Sequence, residues 1–191
     1  MSARFLPPPI AFEASPFDLD DEATYMRWRA WKLACHPASA DELTVDLADP
    51  RALDAVERAA LVDRIQRANM ALYRSPVHDE DKDLPRTLGA QLGLCELDAN
   101  WLADEDGISS IRISTASDGR GGFIPYTDRA IRWHTDGYYN PPERRIRAMV
   151  LHCVAGAASG GENALLDHEI AYLLLRDADP VLAAALMQSD A

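Results

Sequence analysis

At 191 residues with 48% apolar content, the chain is long enough for one stable domain and too apolar for global disorder. Its 19 Lys and Arg against 31 Asp and Glu give a formal charge of −12, which argues against nucleic-acid binding despite the local run Glu143, Arg144, Arg145 and Arg147. Cys35, Cys95 and Cys153 form neither a CxxC pair nor a secreted disulfide pattern. No run of 18 apolar residues and no signal-peptide core occurs, so a cytoplasmic location with no membrane partner is expected.

Residues 1–22 are rich in proline and acid, and Pro7, Pro8 and Pro9 enforce extended backbone, as in a loosely held arm or an edge strand. Tyr25, Trp28, Trp31 and Leu33 suit a helix over 23–35, in which Trp28 and Trp31 share a face as core anchors. Asp49 followed by Pro50 predicts a helix start. The stripe Leu53, Val56, Leu61, Ile65, Ala68 and Leu72 carries that helix to Tyr73, with Asp54 and Glu57 near its positive end. A charged loop over 76–86 leads to a short helix from Pro85 to Leu92, closed by Gly93, and to a helical turn over Asp98–Asp104.

The pattern changes after Gly107. Ile108, Ile111 and Ile113 fit a strand, and Ser117 to Gly122 is a turn-forming cluster. Phe123 to Tyr126 reads as short and extended. Ala130 to His134 alternates, with Ile131 and Trp133 on one side and Arg132 and His134 on the other. A loop through Tyr138, Tyr139, Asn140, Pro141 and Pro142 precedes a central strand, Ile146 to Val154. Gly160-Gly161 is a tight turn, and Asn163 to Leu166 resumes a strand. Asp167 caps a helix with Ile170, Leu173 and Leu174, and Asp179-Pro180 opens a last one, Val181 to Met187. The expectation is one domain over 1–191. Helices dominate 1–106 and cover a strand-rich part over 107–191.

The densest chemistry lies in Trp133-His134-Thr135-Asp136-Gly137. In extended backbone His134 and Asp136 project from one face. Imidazole nitrogen and carboxylate oxygen both ligate first-row divalent metals, and a second histidine would complete a two-histidine, one-carboxylate facial triad. Three-residue matches arise by chance, so the pair alone is weak, and on the pair alone a surface histidine beside a turn-capping aspartate is the better account of it.

The ordered series of Pro125-Tyr126, His134-Thr135-Asp136, Pro141-Pro142, Leu151-His152-Cys153 and Gly160-Gly161-Glu162-Asn163 through Asp167 resembles the taurine dioxygenase superfamily. In style it is most similar to the gamma-butyrobetaine and trimethyllysine hydroxylase branch. The resemblance implies a mainly-β fold with N-terminal helices, a partial double-stranded β-helix (a jelly roll of the clavaminate synthase type). It also implies Fe(II) and 2-oxoglutarate as cofactors and hydroxylation of a small-molecule substrate. His134 and Asp136 would be iron ligands, Asn163 would hydrogen-bond 2-oxoglutarate, and Tyr138 and Tyr139 would line the substrate pocket.

Relatives carry a second ligating histidine and a 2-oxoglutarate-binding arginine on later strands. After Asp136 only His152 and His168 occur. His152 has a counterpart in relatives with a complete triad, and His168 starts a helix. Arg176 lies off the family's arginine position and reads as a surface ion pair. The expectation is therefore the front part of a dioxygenase, completed by further chain, by a second chain or by self-association. A non-catalytic module on a degenerate jelly roll and a zinc hydrolase built on His134, Asp136 and His152 are the alternatives.

Overall fold

Helix α1 (Glu22–Cys35) starts where Asp21 accepts the Thr24 N–H at 2.9 Å, and its inward face carries Tyr25 and Trp28. The computed structural model describes residues 8, 10–97, 103–114 and 119–188. The chain divides into two compact units, residues 1–79 with 154–191 and residues 80–153.

The first unit is built around an aromatic cluster. Tyr25, Trp28 and Leu173 are buried, and Phe12, Phe17, Trp31 and Tyr172 pack against them. Phe17 meets Trp28 and Tyr172 edge-on, with ring centroids 5.3 and 5.2 Å apart. Such pairs contribute about 0.5–1.5 kcal/mol each beyond area burial. Leu173 lies on α5 (His168–Ala178), and α6 (Pro180–Leu186) follows directly. Asp167 caps α5 by accepting the Glu169 N–H, and Asp179 caps α6 by accepting the Leu182 N–H, so both aspartate signals of the sequence operate.

Arg176 departs from expectation. Its place on α5, four residues after Tyr172, turns it inward. The guanidinium stacks 3.9 Å from the Tyr25 ring centroid, donates to the Asp18 carbonyl and Tyr172 Oη, and pairs with Glu22 at 3.3 Å. It is a buried cation with several partners rather than a surface ion pair.

After a single helical turn, α2 (Ala40–Leu43), the chain forms β1 (Thr44–Asp46), α3 (Ala55–Ala68) and β2 (Leu72–Arg74). The strands pair in parallel with Val45 opposite Tyr73, so α3 is the crossover that a parallel pair requires. The helix expected from Pro50 to Tyr73 is shorter at both ends. Asp49 spends its carboxylate on the Arg51 N–H and makes a turn. The helix begins instead at a capping box, in which Asp54 accepts from Val56 and Glu57 while Glu57 accepts from Asp54. Asn69, at φ 58°, closes it and frees Leu72 for the strand.

A buried ion network ties these elements together. Lys32 is fully buried, with Nζ 2.8 Å from Asp167 Oδ2 and 2.5 Å from Glu169 Oε2, and it donates to the Arg67 carbonyl. Asn69 Nδ2 donates to Asp167 at 2.9 Å. The end of α3 and the start of α5 are thus held by one ammonium from α1.

The second unit carries α4 (Asp83–Gln91), with Gly93 at φ 91° just beyond it. A single carboxylate organises the segment C-terminal to this helix. Asp104 accepts from Lys82 and Arg120, each at 2.6 Å, and from Ser110 at 2.9 Å. These hydrogen bonds, that from Lys82 foremost, hold its carboxyl far below the ordinary aspartate range. Phe123–Tyr126 is not extended: Ile124–Tyr126 is a 3-10 turn, as is Pro142–Arg144. The helical turn expected over Asp98–Asp104 and the turn at Ser117–Gly122 fall partly outside the described residues.

The mainly-β jelly-roll expectation is overturned. Among the described residues the only strands are β1 and β2, three residues each, and helix predominates. The stretches expected as strands, 108–114, 130–134, 146–154 and 163–166, form none. Alternation decides which face a side chain takes, but a strand exists only when a neighbour pairs its N–H and C=O groups. Among the described residues from 108 to 166 the structure supplies such a bond from Ser114 N to Tyr126 O, at 2.8 Å, and no ladder. The side chains meant for an interior accordingly remain open to solvent, with Ile113 and Trp133 each 69% exposed. No helix among the described residues is long and apolar enough to cross a membrane.

Candidate metal centre

His134 Nε2 and Asp136 Oδ1 stand 3.6 Å apart in the second unit, with both side chains 48% exposed. Nδ1 of the same imidazole lies 2.8 Å from the Arg132 carbonyl. A carbonyl only accepts, so this contact places a proton on Nδ1, and Nε2 is the ring nitrogen beside the carboxylate. Two ligands about 2.1 Å from one ion span roughly 3.0 Å at a right angle and about 3.6 Å at 120°. The pair therefore fits a shared divalent cation, and its exposure leaves the rest of the coordination sphere open.

Gly137 shapes the turn beyond the pair. It is buried at φ 69°, and a Cβ there would stand 2.5 Å from Ile146 Cδ1 and 3.1 Å from Asn140 Nδ2. Both the left-handed backbone and the contact with Ile146 demand glycine. The Asn140 N–H then donates to the Gly137 carbonyl, and Asn140 Nδ2 donates to the Arg144 carbonyl. Tyr138 and Tyr139 project from this turn, 79% and 63% exposed, with their rings edge-on at 5.3 Å. The Asp136-Gly137 dipeptide is a turn signal in its own right and could have marked Gly137 from sequence.

No third ligand joins the pair: among the described residues no group of three or more His, Cys, Asp and Glu is placed to hold a metal. His152 lies in the same unit without forming such a group, so the zinc triad of His134, Asp136 and His152 does not assemble. His168 is the exposed first residue of α5 in the other unit.

Asn163 belongs to the first unit, where its Nδ2 donates to the Gly161 carbonyl at 3.3 Å. It lines a cleft of about 380 Å³ that also presents His36, Ser39, Leu43, Leu166 and Ile170. Among the described residues no Lys or Arg lines this cleft, so its walls offer a dicarboxylate no ammonium or guanidinium. Sequence reasoning singled out Asn163 but not the cleft, whose other walls come from distant residues.

The profile of the family described as taurine catabolism dioxygenase TauD, TfdA family matches residues 33–190. No curated protein and no solved structure matches the chain.

Proposed function

This chain belongs to the TauD, TfdA family of dioxygenases, and on that premise we propose that it is an Fe(II)- and 2-oxoglutarate-dependent enzyme that hydroxylates a small organic substrate. The observation that carries the reading is the 3.6 Å approach of His134 Nε2 to Asp136 Oδ1, with Nδ1 of the imidazole tied to a carbonyl. Members of the family use Fe(II) and 2-oxoglutarate. When bound, that pair supplies the oxidising power with dioxygen, turning a C–H bond into C–OH as the oxo acid loses carbon dioxide and leaves as succinate.

The protein's own groups have simpler tasks. Arg132 fixes the imidazole tautomer through its carbonyl, so Nε2 stays a ligand. Asp136 offers a negative oxygen beside it and lowers the net charge of the bound ion. Gly137 turns the chain away immediately after Asp136 and keeps the approach to the pair open. Tyr138 and Tyr139 stand next along the chain, where they would wall a substrate. In keeping with the likeness to the gamma-butyrobetaine branch, that substrate would be a small amine or acid.

The test is Fe(II)-dependent conversion of 2-oxoglutarate to succinate by the purified chain, alongside Fe(II) binding to wild type, H134A and D136A. Binding by wild type that either substitution abolishes supports the reading. Absence of both binding and turnover in wild type sinks it. The rival reading is a non-catalytic binding module of the same family, favoured by the lack of a third ligand among the described residues. Iron-dependent decarboxylation would rule that rival out.

A further inference from the structure

We propose that the cleft between α2, β2 and the run 163–166 is a binding site for an uncharged, mainly apolar small molecule with one hydrogen-bonding end. Its volume of about 380 Å³ lies within the range of small-ligand pockets, roughly 300–1,000 Å³. Its floor and sides are carbon: Leu43, Ala68, Met70, Leu72 and Ile170 face Leu165 and Leu166. Leu43 and Ala68 are buried in the body of the unit, whereas Leu165 and Leu166 are 52% and 57% exposed. The apolar wall that lacks a protein partner is thus the one the cleft presents to an occupant.

Rigid neighbours hold the walls apart. Asp167, directly after Leu166, is fixed by Lys32 and by Asn69, and Leu72 is fixed in the β1–β2 pair. Two points of the lining are thus anchored before any occupant arrives.

The polar residues that line the cleft are His36, Ser39, Asn163 and Asp167, and Ser39 and Asn163 can orient an occupant. Ser39 stands at the start of α2, yet its side chain makes no capping hydrogen bond. Asn163 commits Nδ2 to the Gly161 carbonyl, which leaves Oδ1 to accept from a ligand. Charge decides the ligand class. Among the described residues no Lys or Arg lines the cleft, and the nearby Lys32 ammonium is bound by two carboxylates, Glu169 and the cleft-lining Asp167. That three-residue group is net negative, so an anion is repelled, and the apolar walls suit a neutral molecule with a donor group. The cleft shares no residue with the His134–Asp136 pair and requires no iron.

The experiment is calorimetric titration of the metal-free chain with 2-naphthol and, separately, with 2-naphthoate, which has the same ring system but carries a carboxylate. One-to-one saturable binding of 2-naphthol is expected, with naphthoate at least tenfold weaker. L166D places a charge on an exposed wall and lowers 2-naphthol affinity at least tenfold, and N163A lowers it about threefold to tenfold. Non-saturable uptake, equal affinity for the two probes, or unchanged affinity in L166D overturns the proposal. Should L166D lose its circular-dichroism signature, methyl shifts decide with the wild-type chain. Perturbation of Ile170 and Leu72 by 2-naphthol supports the site, and perturbation confined to other methyls overturns it. Because no metal is present, failure here leaves the dioxygenase reading untouched, and the converse also holds.

Discussion

The two units hold themselves together by different means. The first has an aromatic core, capped helices and a buried ammonium shared by two carboxylates. Among its described residues the second has one helix of nine residues, two 3-10 turns and a carboxylate hub at Asp104. Most of its apolar side chains between 111 and 151 are open to solvent. Helices satisfy their backbone locally and need only one covered face, so a modest core suffices. Strand-like sequence must borrow partners from elsewhere in the chain, and without them its apolar residues gain nothing from alternation.

The sharpest way to break this contrast is to remove the cation at the centre of the first unit. K32M leaves Asp167 buried without its charge partner, and breaking a buried pair on one side costs about 3–5 kcal/mol. Loss of the cooperative thermal transition, with hydrogen exchange accelerating across α1 and α5 but not across residues 80–92, is the expected outcome. Equal acceleration in both units would mean that they share one mode of stabilisation.

A substitution at the hub probes the second unit. The Asp104 carboxyl titrates well below its unfolded value, near 3.9. Its contribution is therefore complete above about pH 4 and is lost as the pH falls through the lower, folded value. D104N should destabilise the second unit by about 1 kcal/mol at pH 7, allowing for partial exposure, and should flatten its stability between pH 4 and pH 2. Hydrogen exchange of residues 103–114 at the two pH values measures both effects.

G137A tests how the candidate centre is held. An alanine at positive φ costs about 1–2 kcal/mol, and here Ile146 must also move. Affinity for Fe(II) should fall several-fold while helix content is unchanged. The smallest effect is expected from D54A, which removes the capping box of α3 at about 1 kcal/mol and lowers the melting temperature by a few degrees without touching metal binding.

Legibility in the sequence divides along the same line. Asp167 and Asp179-Pro180 announced α5 and α6, and Trp28 announced the core, because caps and helical faces are written in neighbouring residues. The start of α3 was misplaced because two aspartates competed, and only the one followed three residues later by Glu57 satisfies two N–H groups at once. The jelly-roll expectation failed because pairing partners are non-local and the alternation of Ile131 and Trp133 cannot name them. Lys32 gave no sign of being buried, since its carboxylates lie far along the chain. The spacing of His134 and Asp136 was legible because two residues apart is a local relation. The walls around Asn163 were not, because they come from residues near 40 and 70.

The first unit is discontinuous, and that has a consequence for biosynthesis. Trp28 leaves the ribosome well before Leu173, which packs with it and follows about 145 residues later. At about 5–20 residues per second, the indole and phenol rings of α1 wait on the order of 10–30 s for their lid. During that interval the nascent chain presents a sticky aromatic surface that invites holdase chaperones. Slow codons placed between the two halves would lengthen the exposure and lower the soluble yield.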